Sequence, residues 1–320
     1  MNVLFISLGC DKNLVDSEVM LGLLAKEGYQ MTDDEQEADV IVINTCCFIH
    51  DAKEESIQTI LEMAQYKEEG RLKALIVTGC LAQRYQQEIL DEIPEVDAVL
   101  GTTAYTEIVK TIGEALEGNG HVRTDDLDAL PLTDPHRIVT TGGHYAYLKI
   151  AEGCDKHCTY CIIPRLRGNF RSVPMERLLK EAEDLADQGV KELILVAQET
   201  TLYGKDLYGE KSLHRLLKEL CRIDGIRWIR ILYCYPEEID DNLIQVMKEE
   251  KKICNYLDLP IQHASDSILK RMGRRTSKAQ LTEVIGKLRK EIPDLCLRTT
   301  LISGFPGETE EQHEELKEFV

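Results

Sequence analysis

The sequence has no long run of apolar residues. None of its hydrophobic stretches approaches the ~20 residues that a membrane-spanning helix requires, so no contact with a membrane is predicted. The first nine residues are largely apolar, but they have no basic leader and continue into Asp11 and Lys12, which predicts a buried strand and not a secretory signal. Without an export signal, the 11 cysteines indicate a reducing compartment, the cytoplasm, where thiols bind metals or fill cores.

The sequence also has fewer basic residues than acidic ones. There are 38 Lys and Arg against 57 Asp and Glu, which gives a net charge of −19. Surfaces that bind nucleic acids concentrate Lys and Arg, so we expect no large nucleic-acid footprint on this chain. A basic protein partner fits the charge better. The alternative is that the acidity serves only solubility.

Strand and helix signals alternate in the first part of the chain. This alternation predicts an α/β domain with a parallel sheet covered by helices on both faces, as in Rossmann-like folds. The predicted strands are 3–8, 39–44, 74–78 and 98–100, and the predicted helices are 17–26, 54–66, 83–93 and 106–116.

A second alternating series follows a stretch of different composition. Residues 119–143 are rich in Asp, Gly, Pro and Thr, and they predict a linker that contains a hairpin. We therefore expect a first domain at 1–118 and a second at 144–320. The strands predicted in the second domain are 145–151, 192–197, 228–234, 256–260 and 295–302, and its predicted helices are 176–188, 213–221, 241–249 and 278–290.

Three cysteines follow the first strand of the second series, at Cys154, Cys158 and Cys161. Three thiolates on one short loop can hold three irons of a cubane cluster and leave the fourth iron open to a substrate molecule. A ferredoxin would supply a fourth cysteine. A zinc site generally closes with a fourth Cys or His, and His157 lies too near its neighbours to complete a tetrahedron easily. The spacing thus predicts an open iron–sulfur cluster, with zinc as the alternative.

Three further cysteines each come shortly after a predicted strand of the first domain, at Cys10, Cys46 and Cys80. The carboxyl ends of parallel strands converge on one crevice of an open α/β sheet, where ligands bind. Three thiolates can therefore meet there and hold a second cluster, although the alternative is that these cysteines only fill the core. We interpret Cys47, beside Cys46, as a packing residue.

The segment from Cys154 to Cys161 resembles the radical S-adenosylmethionine signature, including the aromatic Tyr160 before the last cysteine. Together with the second cysteine group, the whole chain resembles the radical S-adenosylmethionine methylthiotransferase family. The resemblance implies two [4Fe-4S] clusters. One would bind and reduce S-adenosylmethionine to generate a 5′-deoxyadenosyl radical, and the other would carry the sulfur that is methylated and inserted at a carbon.

Two stretches resemble one branch of that family. Residues 7–18, Ser-Leu-Gly-Cys-Asp-Lys-Asn-Leu-Val-Asp-Ser-Glu, and residues 162–168, Ile-Ile-Pro-Arg-Leu-Arg-Gly, look like the RimO branch, which modifies the β-carbon of an aspartate on ribosomal protein S-twelve. A basic ribosomal protein also suits the acidity of the chain. The alternative within the family is the MiaB branch, which modifies a tRNA adenosine and usually has Gln-Met-Asn after the first cysteine.

The resemblance also nominates residues that contact S-adenosylmethionine. Gln198 and Glu199 would hold the methionine amine, Arg167 would clamp a carboxylate, and Tyr160 would pack near the adenine. Further positions would line the cofactor cleft; these are Gln262, Gly304 and Pro306. The alternatives are an exposed polar pair at the strand end for Gln198 and Glu199, and a solvated basic loop for Arg167.

The family resemblance implies further parts and partners. After its fifth predicted strand the second domain continues only into a helix at 310–320, so we expect a partial (βα) radical barrel that stops before its sixth strand, without the TRAM domain. The implied partners are a reducing electron donor, such as flavodoxin or ferredoxin, and a sulfur donor. Outside this family, an iron–sulfur electron carrier or a zinc-stabilised scaffold would also explain the cysteines.

Overall fold

The protein, described here by a computed structural model covering residues 1–131 and 137–320, divides into two compact units. The first comprises Met1–Thr140 together with Ile162–Asn169, and the second comprises Thr141–Cys161 together with Phe170–Val320. None of the helices in these described ranges is both long and apolar enough to cross a membrane.

The first unit alternates strands and helices. Its elements are β1 (Asn2–Ser7), α1 (Asp11–Lys26), β2 (Gln30–Thr32), β3 (Val40–Thr45), α2 (His50–Ala64), α3 (Tyr66–Glu69), β4 (Ala74–Gly79), α4 (Cys80–Tyr85), α5 (Gln87–Glu92), β5 (Ala98–Leu100), α6 (Ile108–Leu116), β6 (Val122–Arg123) and α7 (Ile163–Arg167), with 3₁₀ turns at Glu35–Glu37 and Tyr105–Glu107.

The strands of the first unit form one parallel sheet in the order β2-β1-β3-β4-β5-β6. Strand β3 is buried along its whole length, because successive side chains point to opposite faces and both faces are covered. Ile41 and Ile43 pack in the core that includes Ile60 of α2. Val40 and Val42 pack in the opposite core, with residues of α1 and α6 such as Met20 and Ile108.

The second unit is built in the same way. Its elements are β7 (Tyr145–Lys149), β8 (Ala151–Glu152), β9 (Arg171–Ser172), α8 (Met175–Asp187), β10 (Glu192–Val196), α9 (Lys205–Tyr208), α10 (Leu213–Cys221), β11 (Trp228–Ile231), α11 (Asp241–Glu249), β12 (Ile253–Asp258), α12 (Asp266–Arg271), α13 (Lys278–Glu291), β13 (Cys296–Arg298) and α14 (Glu310–Phe319), with a 3₁₀ turn at Pro236–Glu238. A parallel sheet runs in the order β13-β12-β11-β10-β7, and β8 pairs with β9 antiparallel.

The predicted α/β class and both parallel sheets are confirmed. The hairpin predicted in 119–143 is wrong for the described part of that range, where β6 instead extends the first sheet, parallel to β5. Residues 132–136 of the predicted linker lie outside the described residues. Helix α1 begins at Asp11, six residues before the predicted start, and α7 was not predicted.

Candidate iron-sulfur and cofactor sites

The three cysteines of the first unit lie where its central strands end. Cys10 is the N-cap of α1, Cys46 directly follows β3, and Cys80 opens α4 directly after β4. Because these strands are parallel neighbours, their carboxyl ends share one edge of the sheet. The Sγ atoms of Cys10 and Cys80 each lie 3.9 Å from Oδ1 of Asn13. The structure therefore brings the cysteine loops together at this edge, as expected for a common site.

Asn13 is fixed between these loops by hydrogen bonds on both sides of its amide. Its Nδ2 donates to the carbonyl oxygens of Leu8, at 3.2 Å, and Thr45, at 3.0 Å. Its Oδ1 accepts from Nη2 of Arg167 at 2.5 Å. One buried side chain thus connects the loop before α1 with the end of β3.

Two glycines allow the backbone to approach closely at this site. Gly9 and Gly79 have φ of +99° and +91°, a region that favours glycine. A Cβ on Gly9 would lie 2.9 Å from Cβ and 3.3 Å from Sγ of Cys46, and a Cβ on Gly79 would lie 2.2 Å from Oδ1 of Asn44. Any other residue would push the cysteine loops apart.

Burial disfavours ionisation of two thiols of this group, those of Cys46 and Cys80. Burial raises the pKa of Cys80 to about 12, although the Arg167 guanidinium lowers it, and burial also raises the pKa of Cys46. A cluster would therefore displace protons when it binds. Cys47 lies in the hydrophobic core, where its Sγ contacts the carbonyl oxygen of Cys80 at 3.3 Å, consistent with a packing residue.

The cysteine loop of the second unit is compact. Cys154 and Cys158 are buried and Cys161 is half-buried. The N–H of Cys161 donates to the carbonyl of Cys158 at 2.9 Å, and His157 adopts a left-handed φ of 51°. Burial raises the pKa of Cys154 to about 11, and the thiolates of Cys161 and Cys158 contribute to the shift. Three thiols thus stand close enough to interact electrostatically.

Two buried cations lie in or beside this loop, Lys156 within it and Arg274 from another segment. Lys156 forms ion pairs with Glu238, at 2.5 Å, and Glu237, at 3.4 Å, with its side chain 5% exposed. The guanidinium of Arg274 lies 4.3 Å from the ring centre of Tyr235, whose hydroxyl is 4.0 Å from Sγ of Cys158. These cations can offset the negative charge that three thiolates bring into a buried place.

Two buried acceptors at the end of β10 have no hydrogen-bond partner among the described residues. They are Oε1 of Gln198 and Oε2 of Glu199. Nε2 of Gln198 donates to Glu152 at 2.6 Å, and Oε1 of Glu199 accepts from the N–H of Thr201 at 3.1 Å. Burial raises the pKa of Glu199 to about 8, although the Lys156 ammonium, 3.8 Å away, lowers it. The interpretation of this pair as solvent-exposed is wrong for Glu199, which is fully buried.

The cleft residues predicted near the end of the chain are held by Arg271. Its Nη1 and Nη2 donate to the carbonyl oxygens of Pro306, at 3.2 Å, and Gly307, at 2.8 Å. The carbonyl of Arg271 accepts from Oγ1 of Thr159 in the cysteine loop at 3.0 Å. Arg271 therefore ties the turn that contains Gly304 and Pro306 to the loop that contains the cysteines.

Tyr160 and Gln262 occupy the same unit. The ring of Tyr160 packs edge-on against that of Phe305, with 6.5 Å between centres. Gln262 has a left-handed φ of 68° and pairs through its backbone with Leu301, beyond β13. Among the described residues, no hydrogen bond links the side chain of Gln262 to the cysteine loop.

Of the two interpretations of Arg167, the solvated basic loop is wrong, because the residue is buried. The structure places it in the first unit, 2% exposed, where its Nη1 lies 2.8 Å from Oδ2 of Asp16. It is neither a solvated loop residue nor a member of the unit that carries Gln198 and Glu199. Asn13 and Arg271 were missed, and only the position of Asn13 three residues after Cys10 could have pointed to it.

No group of three His, Cys, Asp or Glu side chains in the described ranges is arranged to hold a single metal ion. A cubane requires a different spacing, because each thiolate binds its own iron.

Comparisons with known families match both units. Residues 2–101 match the Uncharacterized protein family UPF0004, and residues 148–320 match the Radical SAM superfamily. The chain is 68% identical over 320 residues to the ribosomal protein uS12 methylthiotransferase RimO of Lachnoclostridium phytofermentans, covering all of this chain and 73% of that protein. It is 55% identical over 316 residues to the protein of the same name from Clostridium botulinum, covering 98% of this chain and 71% of that protein.

Solved structures share the fold at low sequence identity. The radical S-adenosylmethionine methyltransferase TsrM from Kitasatospora setae superposes with a TM-score of 0.67 at 14% identity, over 99% of this chain and 70% of TsrM. The cobalamin-dependent S-adenosylmethionine radical enzyme OxsB gives 0.65 at 14% identity, over 99% of this chain and 51% of OxsB.

Proposed function

This chain belongs to the RimO family of radical S-adenosylmethionine methylthiotransferases, and on that premise we propose that it adds a methylthio group to the β-carbon of an aspartate on ribosomal protein uS12. The observation that supports the proposal is that each unit has its own group of three cysteines, the first group where parallel strands end and the second in one short loop after β8. An electron carrier or a zinc-stabilised scaffold would not need two sites that each leave a ligand position open.

The donor sets fit two [4Fe-4S] clusters. Cys10, Cys46 and Cys80 would hold one cluster, and Cys154, Cys158 and Cys161 would hold the other. Each site offers three soft thiolate donors, which iron–sulfur clusters prefer. When bound, the clusters and S-adenosylmethionine supply the radical and sulfur chemistry that acts on an unactivated carbon; the chain binds, orients and excludes water.

The residues at the end of β10 would orient S-adenosylmethionine. Oε1 of Gln198 and Oε2 of Glu199 are buried acceptors without a hydrogen-bond partner among the described residues, although the Lys156 ammonium lies 3.8 Å from Oε2 of Glu199. The methionine ammonium group would supply the missing donors. Tyr160 would pack near the adenine, and Gln262, Gly304 and Pro306 would line the cleft. Arg271 would hold the turn of the last two residues against the cysteine loop through the contacts described above.

The charge of the chain favours a basic substrate. A net charge of −19 would attract a basic ribosomal protein and repel the phosphates of tRNA. The remaining partners follow from the chemistry: a reducing electron donor such as flavodoxin or ferredoxin, and a sulfur donor. These partners support a cytoplasmic location.

The substrate is tested in cells whose own uS12 methylthiotransferase has been deleted. Expression of the protein should increase the mass of uS12 by one sulfur and one methylene at an aspartate. Two triple variants, Cys10, Cys46 and Cys80→Ala and Cys154, Cys158 and Cys161→Ala, should each abolish the increase. Unmodified uS12 beside methylthiolated tRNA adenosine would transfer the assignment to the tRNA branch.

The clusters are tested by anaerobic reconstitution. The wild-type protein should bind about eight irons, and each triple variant about four. The variant of Cys154, Cys158 and Cys161 should no longer cleave S-adenosylmethionine, whereas the variant of the first-unit cysteines should still do so. Zinc near one or two equivalents, with little iron, would support the scaffold instead.

A further inference from the structure

Arg167 is a buried cation of the first unit. Its side chain is 2% exposed, its Nη1 lies 2.8 Å from Oδ2 of Asp16, and its Nη2 donates to Oδ1 of Asn13 at 2.5 Å. It closes the short helix α7, which follows the radical-type cysteines in the sequence but packs in the first unit. Nothing in the functions predicted from the sequence explains a guanidinium at this place.

Asn13 links this guanidinium to the cysteine group. The same Oδ1 that accepts from Arg167 lies 3.9 Å from the sulfurs of both Cys10 and Cys80. Asn13 therefore stands between the Arg167 guanidinium and the sulfurs of Cys10 and Cys80.

Stability alone is a poor reason for this arrangement. Burying an arginine and a carboxylate costs desolvation free energy, and their mutual attraction often does no more than offset this cost. Apolar side chains in the same place would therefore give a core of about the same stability. Three thiolates change this balance, because they bring further negative charge into the same buried place. A planar guanidinium with several hydrogen-bond donors is suited to hold the polar side chains that surround the thiolates.

We propose that Arg167 is a positioning residue of the first-unit cluster: it locks Asn13 and Asp16 around Cys10 and Cys80, and its charge favours the loaded and the reduced cluster. The inference rests on the proposed function, which supplies the cluster. It assigns Arg167 to the sulfur-carrying site and not to S-adenosylmethionine. Residues of this kind around metal ligands commonly change affinity when they are substituted.

The test isolates the first cluster. In the full chain with Cys154, Cys158 and Cys161→Ala, the parent protein is reconstituted and compared with Arg167→Met, Arg167→Lys and a control, Arg165→Met, which changes an exposed arginine on the same helix. The measurements are iron retention against a chelator, the reduction potential, the electron paramagnetic resonance spectrum of the reduced cluster, and the melting temperature of the metal-free form.

Arg167→Met should weaken iron retention by roughly 10–100-fold and shift the potential to more negative values, because a cation that stabilises the reduced cluster is lost. Arg167→Lys should restore the potential more fully than the retention, since it keeps the charge but not the fork of donors. Arg165→Met should match the parent.

Three outcomes would contradict these expectations. If Arg167→Met keeps the parent's retention, potential and spectrum, the inference is overturned. If it only lowers the melting temperature while the loaded fraction has an unchanged potential and spectrum, the role is structural and the inference is again overturned. If the parent binds no iron, the first-unit cluster of the proposed function is itself wrong, and the inference is overturned with it.

Discussion

Nε2 of His263 and Oε1 of Glu308 lie 3.1 Å apart, and both side chains are removed from solvent. The N–H of Ser265 donates to Nδ1 of His263 at 2.9 Å, so the ring proton lies on Nε2 and is donated to the carboxylate. The other oxygen of Glu308 accepts from the N–H of Phe305 at 2.9 Å. The pair therefore fixes the turn Gly304–Gly307, which holds predicted cofactor contacts.

We expect His263→Leu to lower the free energy of unfolding by about 1–3 kcal/mol, because it removes the nearer of the two histidine nitrogens that lie against a buried carboxylate oxygen of Glu308. S-adenosylmethionine should also bind more weakly to the reconstituted variant, because the turn loses its support. Urea denaturation and equilibrium binding measure the two effects. His144→Leu, at an exposed histidine of the same unit, should change either quantity little. Equal effects of the two substitutions would refute this role of His263.

Gly79→Ala should destabilise the first unit and reduce its iron content. The residue has φ of +91°, and the new Cβ would lie 2.5 Å from the carbonyl oxygen of Thr45, next to Cys46. We expect a loss of about 1–3 kcal/mol in the free energy of unfolding, with Cys80 displaced from its neighbours. Gly286→Ala is the matched control, because a Cβ there meets nothing within 4 Å in helix α13, and it should stabilise by about 0.5–1 kcal/mol. Unaltered iron in the Gly79 variant would contradict the close approach.

The apolar pattern was enough to predict most of the longer helices and strands. The strand Ala98–Leu100 and the helix Leu213–Cys221 were predicted to the residue, since each is an apolar pattern with clear ends. The strand Gln30–Thr32 was missed because none of its three residues is buried, so no apolar pattern marks it.

The first turns of α1 show why parts of the site escaped prediction. Lys12, Asn13 and Asp16 are buried polar residues, so the helix start lacks the apolar period by which helices are recognised. Asn13 and Asp16 are buried against Arg167, and Lys12 is paired with Asp11. Arg167 itself lies more than 150 positions away in sequence, so its partners could be found only from the three-dimensional structure. Local rules tend to fail at functional sites of this kind.

Asp39 should make the stability of the first unit dependent on acid. It is 2% exposed and accepts from the N–H of Asn2 at 2.9 Å, from Arg71 at 3.0 Å and from Lys73 at 3.0 Å. The hydrogen bond from Asn2, together with the two cations, holds the pKa of Asp39 well below its usual range. Because the folded pKa lies below the unfolded one, the stabilisation is present above about pH 4 and is lost as the pH falls towards the folded value.

Asp39→Asn should therefore cost about 1–3 kcal/mol at pH 7, and the difference from the wild-type protein should shrink as the pH falls from 4 to 2. Urea denaturation across this range measures the difference at each pH. Asp33→Asn, at an exposed position, should show little difference at any pH. A difference for Asp39→Asn that stays constant down to pH 2 would show that the carboxylate charge does not contribute.

Cys46 and Cys47 should respond in opposite ways to the same substitution. Both are buried at the end of β3, but neighbouring side chains there point to different sides. Cys46 lies beside Gly9 and the other cysteine loops, whereas Cys47 packs with the apolar core.

In the chain that lacks the thiols at 154, 158 and 161, Cys46→Ala should reduce the bound iron from about four atoms to nearly none, because two thiolates cannot hold a cubane that needs three. Cys47→Ala should keep the iron and lose about 1–2 kcal/mol of stability, since it removes buried volume and the hydrogen bond from Cys47 Sγ to the carbonyl oxygen of Cys80. Iron analysis and urea denaturation of both variants decide the assignment. Iron lost from Cys47→Ala but kept by Cys46→Ala would move the ligand by one residue and place the cluster on the other side of the strand.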